Sequence, residues 1–343
     1  HLLNMLGVEW LTPDAEIFKG DPFGDIKIDK IIYNFTSRLR IIHCGSMYDE
    51  KFRARQRLKF TVGKVNRKPA FGGINGVEFA FDWGLFGHTF EVLVPYEKYF
   101  KDHPEYFSFA PNRYGDSGRF QLCLTNKEVF DIALDTILDY LKNNPTCKIV
   151  SVSQNDSYGD FAENYCMCPN CKAVCEREGS YSGVMLQFVN RIAEEVEKVY
   201  PDIYIHTFAY HFTKKPPLHI RPRKNVIVQY CTGKPFNRCL NDDEDACRRE
   251  REEIDRWHEI CDNLYLWMYW CNFGFYLVPI ANFKAIYYDT VYCLRKGVYG
   301  IFQQSNGDNY PFEFYDLRNY LLAKLFQNPD MSYEDYRLLM REF

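Results

Sequence analysis

From about residue 119 to the C-terminus, short apolar runs alternate with long amphipathic stretches, and this alternation constrains the fold more than any other feature of the chain. Residues 128–142 carry an apolar stripe at Val129, Ile132, Ala133, Ile137, Leu138 and Leu141, and Pro145 lies just beyond its end. Further helices are predicted over 182–200, closed by Pro201, and over the charged stretch 243–261. Others follow over 280–296 with Gly297 at its C′ position, over 311–326 with Pro311 in the first turn, and over 333–342. Strands are predicted at 119–124, 148–153, 203–209, 225–231, 263–269 and 298–302, with two more in the N-terminal third at 38–43 and 78–82. Eight strand–helix units predict an α/β fold, a TIM-like (β/α)8 barrel, in preference to an open doubly wound sheet. The rest of the N-terminal third is irregular, broken by Gly, Pro and Asp at 20–25 and 72–76, with one short basic helix over 51–57.

A chain of 343 residues suits one such barrel with insertions, and 46% hydrophobic residues suffice for a large core. The net charge of −4 and the lack of a basic stripe exclude a nucleic-acid partner. The run Arg248, Arg249, Arg251 is interleaved with Glu250, Glu252 and Glu253 and reads as a solvated helix face. No strand is followed by a Gly-rich phosphate loop, which argues against a nucleotide. No apolar run is long enough to span a membrane. Phe, Tyr and Trp reach 17% of the chain; a ring-rich core accounts for most of this, and sugar-binding clefts favour the same residues.

Active sites of β/α barrels lie at the C-terminal ends of the strands, and that rule selects candidates. Strand four ends in Ser153-Gln154-Asn155-Asp156, strand five near Tyr210-His211, and strand six in Tyr230-Cys231. Strand seven ends in Trp267-Met268-Tyr269-Trp270 with Asn272 following, and strand eight in Gln303-Gln304 with Asn306 and Asp308 beyond. The loop after strand two contributes His88. Asp156 is the carboxylate placed directly after a strand; it either does acid chemistry or orients a substrate, or it merely caps the loop that follows. His88 is either a base or donor to a ligand, or a structural histidine.

The 13 cysteines point to an oxidising compartment, a metal site, or both. Cys166, Cys168, Cys171 and Cys175 fall within ten residues in the loop after strand four. Thiols so spaced hold a structural zinc or form disulfides. The additional cysteines Cys231, Cys239, Cys247, Cys261 and Cys271 tilt the choice towards disulfides. Either clamp holds the loop bearing Asp156. A catalytic zinc usually keeps an open position and often has His ligands, so four close thiols indicate a closed site instead. No other cofactor is expected.

A set of segments in order carries a resemblance: Leu6-Gly-Val-Glu-Trp10, His88-Thr-Phe90, His103-Pro-Glu-Tyr-Phe107, Gln121-Leu-Cys-Leu-Thr-Asn126 and Val152-Ser-Gln-Asn-Asp156. It continues through Cys166-Met-Cys-Pro-Asn-Cys171, Glu178-Gly-Ser180, Phe188-Val-Asn190, Thr207-Phe-Ala-Tyr210 and Lys215-Pro-Pro217, almost end to end. The chain resembles a large bacterial glycoside-hydrolase-like domain family related to the α-glucuronidase and β-hexosaminidase barrels. The resemblance implies a barrel over 31–343, preceded by a junction helix and linker over 1–30 from a small α/β domain. It further implies a carbohydrate or glycoconjugate as substrate and an extracellular or periplasmic setting. Asp156 is then the expected catalytic residue, and His88, Asn126, Gln154, Asn155, Tyr210, Trp267, Tyr269, Asn272 and Gln303 the expected substrate contacts.

Two departures from the family pattern bear on activity. Met268 stands where the family has Asp in Trp-Asp-Tyr, and Gln303 or Gln304 where it has Glu. Most glycosidases use two carboxylates, and Asp156 then lacks an obvious partner beyond the loop residues Asp160, Glu163 and Asp308. A substrate N-acetyl group acting as nucleophile reduces that need. The sequence therefore supports two readings: an O-glycosyl hydrolase using Asp156, or a catalytically inactive descendant that binds glycans or serves a structural role in an assembly.

Overall fold

A computed structural model describes residues 7–20, 39–43, 45–58, 87–109, 121–145, 147–156, 165–275, 277–304 and 313–343. The predicted strand at 78–82, the apolar residues Leu2 to Leu6, Pro311 and the loop candidates Asp160, Glu163, Asn306 and Asp308 lie outside these residues. Of the predicted junction over 1–30, residues 7–20 are described. They contain an antiparallel hairpin of β1 (Val8–Trp10) and β2 (Glu16–Phe18). Trp10 joins the core, its carbonyl accepting from Gln56 Nε2 at 2.8 Å.

The remaining strands are β3 (Leu39–His43), β4 (Ile149–Ser151), β5 (Tyr204–Ala209), β6 (Val226–Cys231), β7 (Leu264–Tyr269) and β8 (Gly300–Gln304). They form one parallel six-stranded sheet in the order β3-β8-β7-β6-β5-β4, curled into a half-barrel with helices on its outer side. The first of these strands lies beside the last, as in a barrel, with Ile41 paired to Phe302 and His43 to Gln304. A full eight-stranded barrel is not what the described residues form. Of the segment predicted as a strand over 119–124, the described residues 121–124 make only an isolated antiparallel bridge, Leu122 to Phe107. Its backbone groups face residues 106–108, with Cys123 N donating to Tyr106 O at 2.9 Å and Gln121 O accepting from Ser108 N at 2.8 Å, so they cannot extend the parallel ladder.

The helices follow the predicted periodicity. Asn126 caps Lys127–Asn143, its side chain accepting from Glu128 N and Val129 N. Ser182–Val199, Asp245–Ile260, Phe283–Arg295, Tyr315–Gln327 and Tyr333–Glu342 cover the other predicted stretches. Gly297, at φ 79°, follows Phe283–Arg295 in the left-handed region. A further helix, Pro169–Glu178, occupies the cysteine-rich loop, with proline in its first turn.

Alternation along the strands separates two apolar layers. Ile41, Ile149, Ile227, Tyr265 and Phe302 form a cluster of their own on the concave side. Their neighbours Ile42, Val150, Val228, Leu266 and Ile301 belong to the larger core shared with the helices. Burying each such side chain contributes about 1.5–3 kcal/mol. Further along the strands comes a polar layer, in which His206 meets Ser151 Oγ at 2.9 Å and Gln229 Oε1 at 2.8 Å. The next concave-side residues, Phe208, Cys231, Trp267 and Gln304, reach the mouth of the sheet.

Candidate functional site

At that mouth, His88, Asp156, Phe208, Tyr210, Cys231, Trp267, Tyr269, Phe273 and Gln304 line a cavity of about 330 Å³. Each strand end supplies its residue in phase with the concave face: Phe208 and Tyr210 around the end of β5, Cys231 from β6, Trp267 and Tyr269 from β7, Gln304 from β8. Trp267 Nε1 donates to Gln304 Oε1 at 2.8 Å, which orients that amide.

Asp156 follows β4 on a short, heavily bonded stretch. Gln121 grips the backbone of Asn155 from both sides, its Nε2 donating to Asn155 O at 2.8 Å and its Oε1 accepting from Asn155 N at 3.0 Å. Asn155 Oδ1 accepts from Glu91 N at 3.0 Å. Gln154 Nε2 donates to Tyr210 O and Thr213 Oγ1 at 2.9 and 2.8 Å. These amides turn away from the cavity and fix the platform from which Asp156 enters it.

Two of the described residues approach the carboxylate. Tyr210 Oη donates to Asp156 Oδ1 at 3.4 Å, and His88 Nε2 lies 3.9 Å from the same oxygen. His88 Nδ1 lies 2.8 Å from the carbonyl of Gln154, so Nδ1 carries the proton and donates. A neutral His88 therefore turns its Nε2 lone pair towards the cavity, and a protonated one turns an N–H towards Asp156. Its backbone is in the left-handed region, φ 55°, anchored by His88 N to Ser153 Oγ at 2.9 Å. Gly87 precedes it because the chain passes against Phe208, where a Cβ would come within 2.9 Å of the ring. His211 packs on the Tyr210 ring, and burial draws its pKa below the ordinary histidine value against the pull of Asp156. Burial pushes the Cys231 thiol well up, so this sulfur stays protonated and is a poor nucleophile at neutral pH.

Of the residues expected from the sequence, the structure brings His88, Asp156, Tyr210, Trp267 and Tyr269 to one cavity. Gln154 and Asn155 stand behind it as described. Asn126 stands elsewhere, as a helix cap. Asn272 Oδ1 shapes the loop after β7, accepting from Gly274 N and Phe275 N at 3.1 and 3.2 Å. Gln303 is buried on the convex, helix-facing side of β8, in register with Met268 of β7. Met268 itself belongs to the core shared with the helices. Neither Met268 nor Gln303 faces the cavity, whereas Gln304, the alternative to Gln303 in the second departure, presents its amide there. Phe208 and Phe273, unselected from the sequence, complete the aromatic wall. Counting back two residues from Tyr210 along a period-two strand would have found Phe208.

The cysteine expectation needs correction. All twelve described cysteines are free thiols, so no disulfide clamps the loop after β4 among the described residues. Three of the thiols expected to act together do so, with a different fourth. The sulfurs of Cys123, Cys166, Cys168 and Cys171 lie within 4.8 Å of one another, and Cys175 is not among them. Cys175 sits one helical turn beyond Cys171 in Pro169–Glu178, whereas the bridge at Leu122 carries Cys123 up to the cluster. Hydrogen bonds from Cys123 and Cys166 draw the pKa of the Cys171 thiol down, against the effect of burial.

A family described as a domain of unknown function (DUF4838) matches residues 25–343. No curated protein matches the chain. Among solved structures, it is similar to a mutant O-GlcNAc hydrolase from Thermobaculum terrenum at 12% identity and a TM-score of 0.38, over 64% of this chain and 45% of that one. A GH36 α-galactosidase from Geobacillus stearothermophilus aligns at 12% identity and a TM-score of 0.34, over 70% of this chain and 29% of the other. A family 5 glycoside hydrolase from Prevotella bryantii aligns at 9% identity and a TM-score of 0.32, over 59% and 77%. This chain spans less than half the length of the first two. No helix among the described residues is long and apolar enough to cross a membrane.

Proposed function

We propose, on the premise that this chain belongs to the DUF4838 family of domains of unknown function, that its cleft takes a carbohydrate and that Asp156 acts in hydrolysis of an O-glycosyl bond. The observation that carries this reading is the Asp156 carboxylate held among aromatic rings, with Tyr210 and His88 both directed at one of its oxygens. Rings of Phe208, Trp267, Tyr269 and Phe273 offer apolar faces to pyranose C–H groups, while Gln304, Tyr210 and His88 offer hydrogen bonds to hydroxyls. The cavity volume lies at the lower end of the ~300–1,000 Å³ usual for ligand pockets, which favours a small sugar unit over a long chain lying lengthwise. In this reading Asp156 protonates the leaving oxygen, or orients the group that attacks. The second role falls to a substrate N-acetyl group or to Asp160, Glu163 or Asp308.

One observation favours a second reading. Asp156 is the one carboxylate among the described lining residues, and binding without turnover needs no second. A panel of aryl glycosides, including N-acetylhexosaminides and glucuronides, separates the two when run on the wild type and Asp156→Asn. Hydrolysis that drops at least ~100-fold in the variant supports the acid role. Turnover equal in both proteins removes Asp156 from the mechanism. Sugar binding seen by calorimetry with no turnover on any member establishes the binding-only reading.

A further inference from the structure

The four-thiol cluster lies behind the cleft and plays no part in the chemistry proposed above. A zinc ion with Zn–S bonds of about 2.3 Å at the centre of a tetrahedron requires sulfurs about 3.8 Å apart. Cys123 Sγ lies 3.7 Å from Cys168 Sγ and 4.0 Å from Cys171 Sγ. Disulfide sulfurs are bonded at about 2.05 Å, so these separations fit a shared central ion and not a bond between any of these pairs. Donors suited to thiolates surround the group. Phe109 N points to Cys166 Sγ at 3.4 Å, Cys171 N to Cys168 Sγ at 3.5 Å, and Thr125 Oγ1 lies 3.2 Å from Cys171 Sγ. Cys168 is also the N-cap of Pro169–Glu178, where the helix dipole favours a negative sulfur. Cys123, Cys166 and Cys171 are buried, which leaves little room for water as a fifth ligand.

We propose that Cys123, Cys166, Cys168 and Cys171 hold a structural zinc ion. On binding, Zn²⁺ takes the place of the thiol protons, which pass to solvent, and the four sulfurs close its coordination. The site ties the start of Pro169–Glu178 to the segment at Cys123. Two residues before Cys123, Gln121 grips the backbone of Asn155, next to Asp156. The ion thereby secures the platform of the cleft carboxylate from behind.

Metal content is read without any substrate, so the inference stands or falls apart from the glycosidase reading. Elemental analysis of the intact chain, purified without chelator, is expected to give about one zinc per molecule. Cobalt(II) added to reduced, metal-stripped protein is expected to produce the intense visible bands of tetrahedral thiolate coordination. Cys123→Ser should lower the zinc content at least tenfold and Cys175→Ser should leave it unchanged. Should Cys123→Ser fail to fold, the wild-type cobalt spectrum decides alone. Zinc below about a tenth of an equivalent together with a featureless cobalt spectrum overturns the proposal. So does iron in place of zinc, or metal lost from Cys175→Ser and kept by Cys123→Ser. A non-reduced intact mass showing disulfides among these four cysteines overturns it as well.

Discussion

His88 presents its imidazole from a backbone conformation that few non-glycine residues adopt, φ 55°. Such a conformation costs about 1–3 kcal/mol and persists where surrounding bonds over-determine it. Here Ser153 supplies several of them: its Oγ accepts from His88 N, its carbonyl from Thr89 N and Phe90 N, and its own N–H donates to Thr89 Oγ1. Asn tolerates the left-handed region as His does, so His88→Asn keeps the backbone and removes only the ring. We expect its unfolding free energy to stay within about 1 kcal/mol of wild type in urea. Sugar affinity, or turnover on any substrate the panel identifies, should fall at least about tenfold. Equal sugar handling by the two proteins would return His88 to a purely structural role. At this scale the sequence was most informative where position in the barrel decides. The place of Asp156 at the cleft was legible because it lies just beyond a strand end. It was least informative where one residue type serves two ends. Asn126 caps a helix with the same carboxamide that a ligand contact would use. Gln303 and Gln304 differ only in strand phase, and the fourth thiol of the cluster comes from Cys123, remote in sequence from the other three.

Between residue and fold, two short segments distant in sequence meet around one buried carboxylate. Glu178, buried at the end of Pro169–Glu178, accepts from His219 N and Ile220 N at 2.9 Å each and pairs with Arg177 at 2.9 Å. Ser180 and Ser182 both donate to Lys215 O, at 2.7 and 2.6 Å. Gly183 is required beside them, since a Cβ there would stand 2.3 Å from Glu178 Cβ. The Glu178-Gly-Ser180 and Lys215-Pro-Pro217 motifs are thus two halves of one joint, and their role is to seat the turn after β5 that carries Tyr210 and His211. Burial opposes ionisation of Glu178, but bonds from Ile220 N–H, Arg177 and His219 N–H hold its pKa below the usual carboxylate range. Its contribution is therefore present above the unfolded-state pKa and is lost as pH falls through the lower folded value. Glu178→Ala strands two buried N–H groups and should cost about 2–5 kcal/mol in urea unfolding at neutral pH. A loss under about 0.5 kcal/mol, the range of surface substitutions, would show that the joint does not depend on this carboxylate. Periodicity identified the helices on either side of this joint, because their apolar stripes depend only on local spacing. The strand predicted at 119–124 failed for a tertiary reason: Gln121 and Cys123 face partners that local sequence does not reveal.

Across the whole molecule, the strand–helix alternation was legible and gave the parallel order with the first strand beside the last. The polar layer inside the sheet was not, because nothing in a β-rich run marks which of its residues will meet a partner across the concave face. His206 is the centre of that layer, fully buried between Ser151 of β4 and Gln229 of β6. Burial, against the favourable bond to Gln229 and reinforced by His88, lowers its pKa to about 3. The neutral ring fits the site: Nε2–H donates to Gln229 Oε1, and Nδ1 accepts from the Ser151 hydroxyl. A proton on Nδ1 would reverse the second bond, turning the Ser151 hydroxyl from donor to acceptor, and would bury a charge with no carboxylate among its described hydrogen-bond partners. An unfolded chain takes that proton near pH ~6.5, whereas the folded one refuses it until about pH 3. The unfolded state therefore binds more protons throughout this window, and stability must fall as pH drops through it. From His206 alone the slope reaches up to about 1.4 kcal/mol per pH unit. Urea midpoints between pH 7 and pH 4 should show this acid limb in the wild type. His206→Gln should be less stable at neutral pH, through imperfect replacement of two bonds, yet have a shallower limb because its side chain does not titrate. Parallel limbs in the two proteins would mean that other groups dominate acid unfolding, and that the centre of the sheet accommodates a charged histidine.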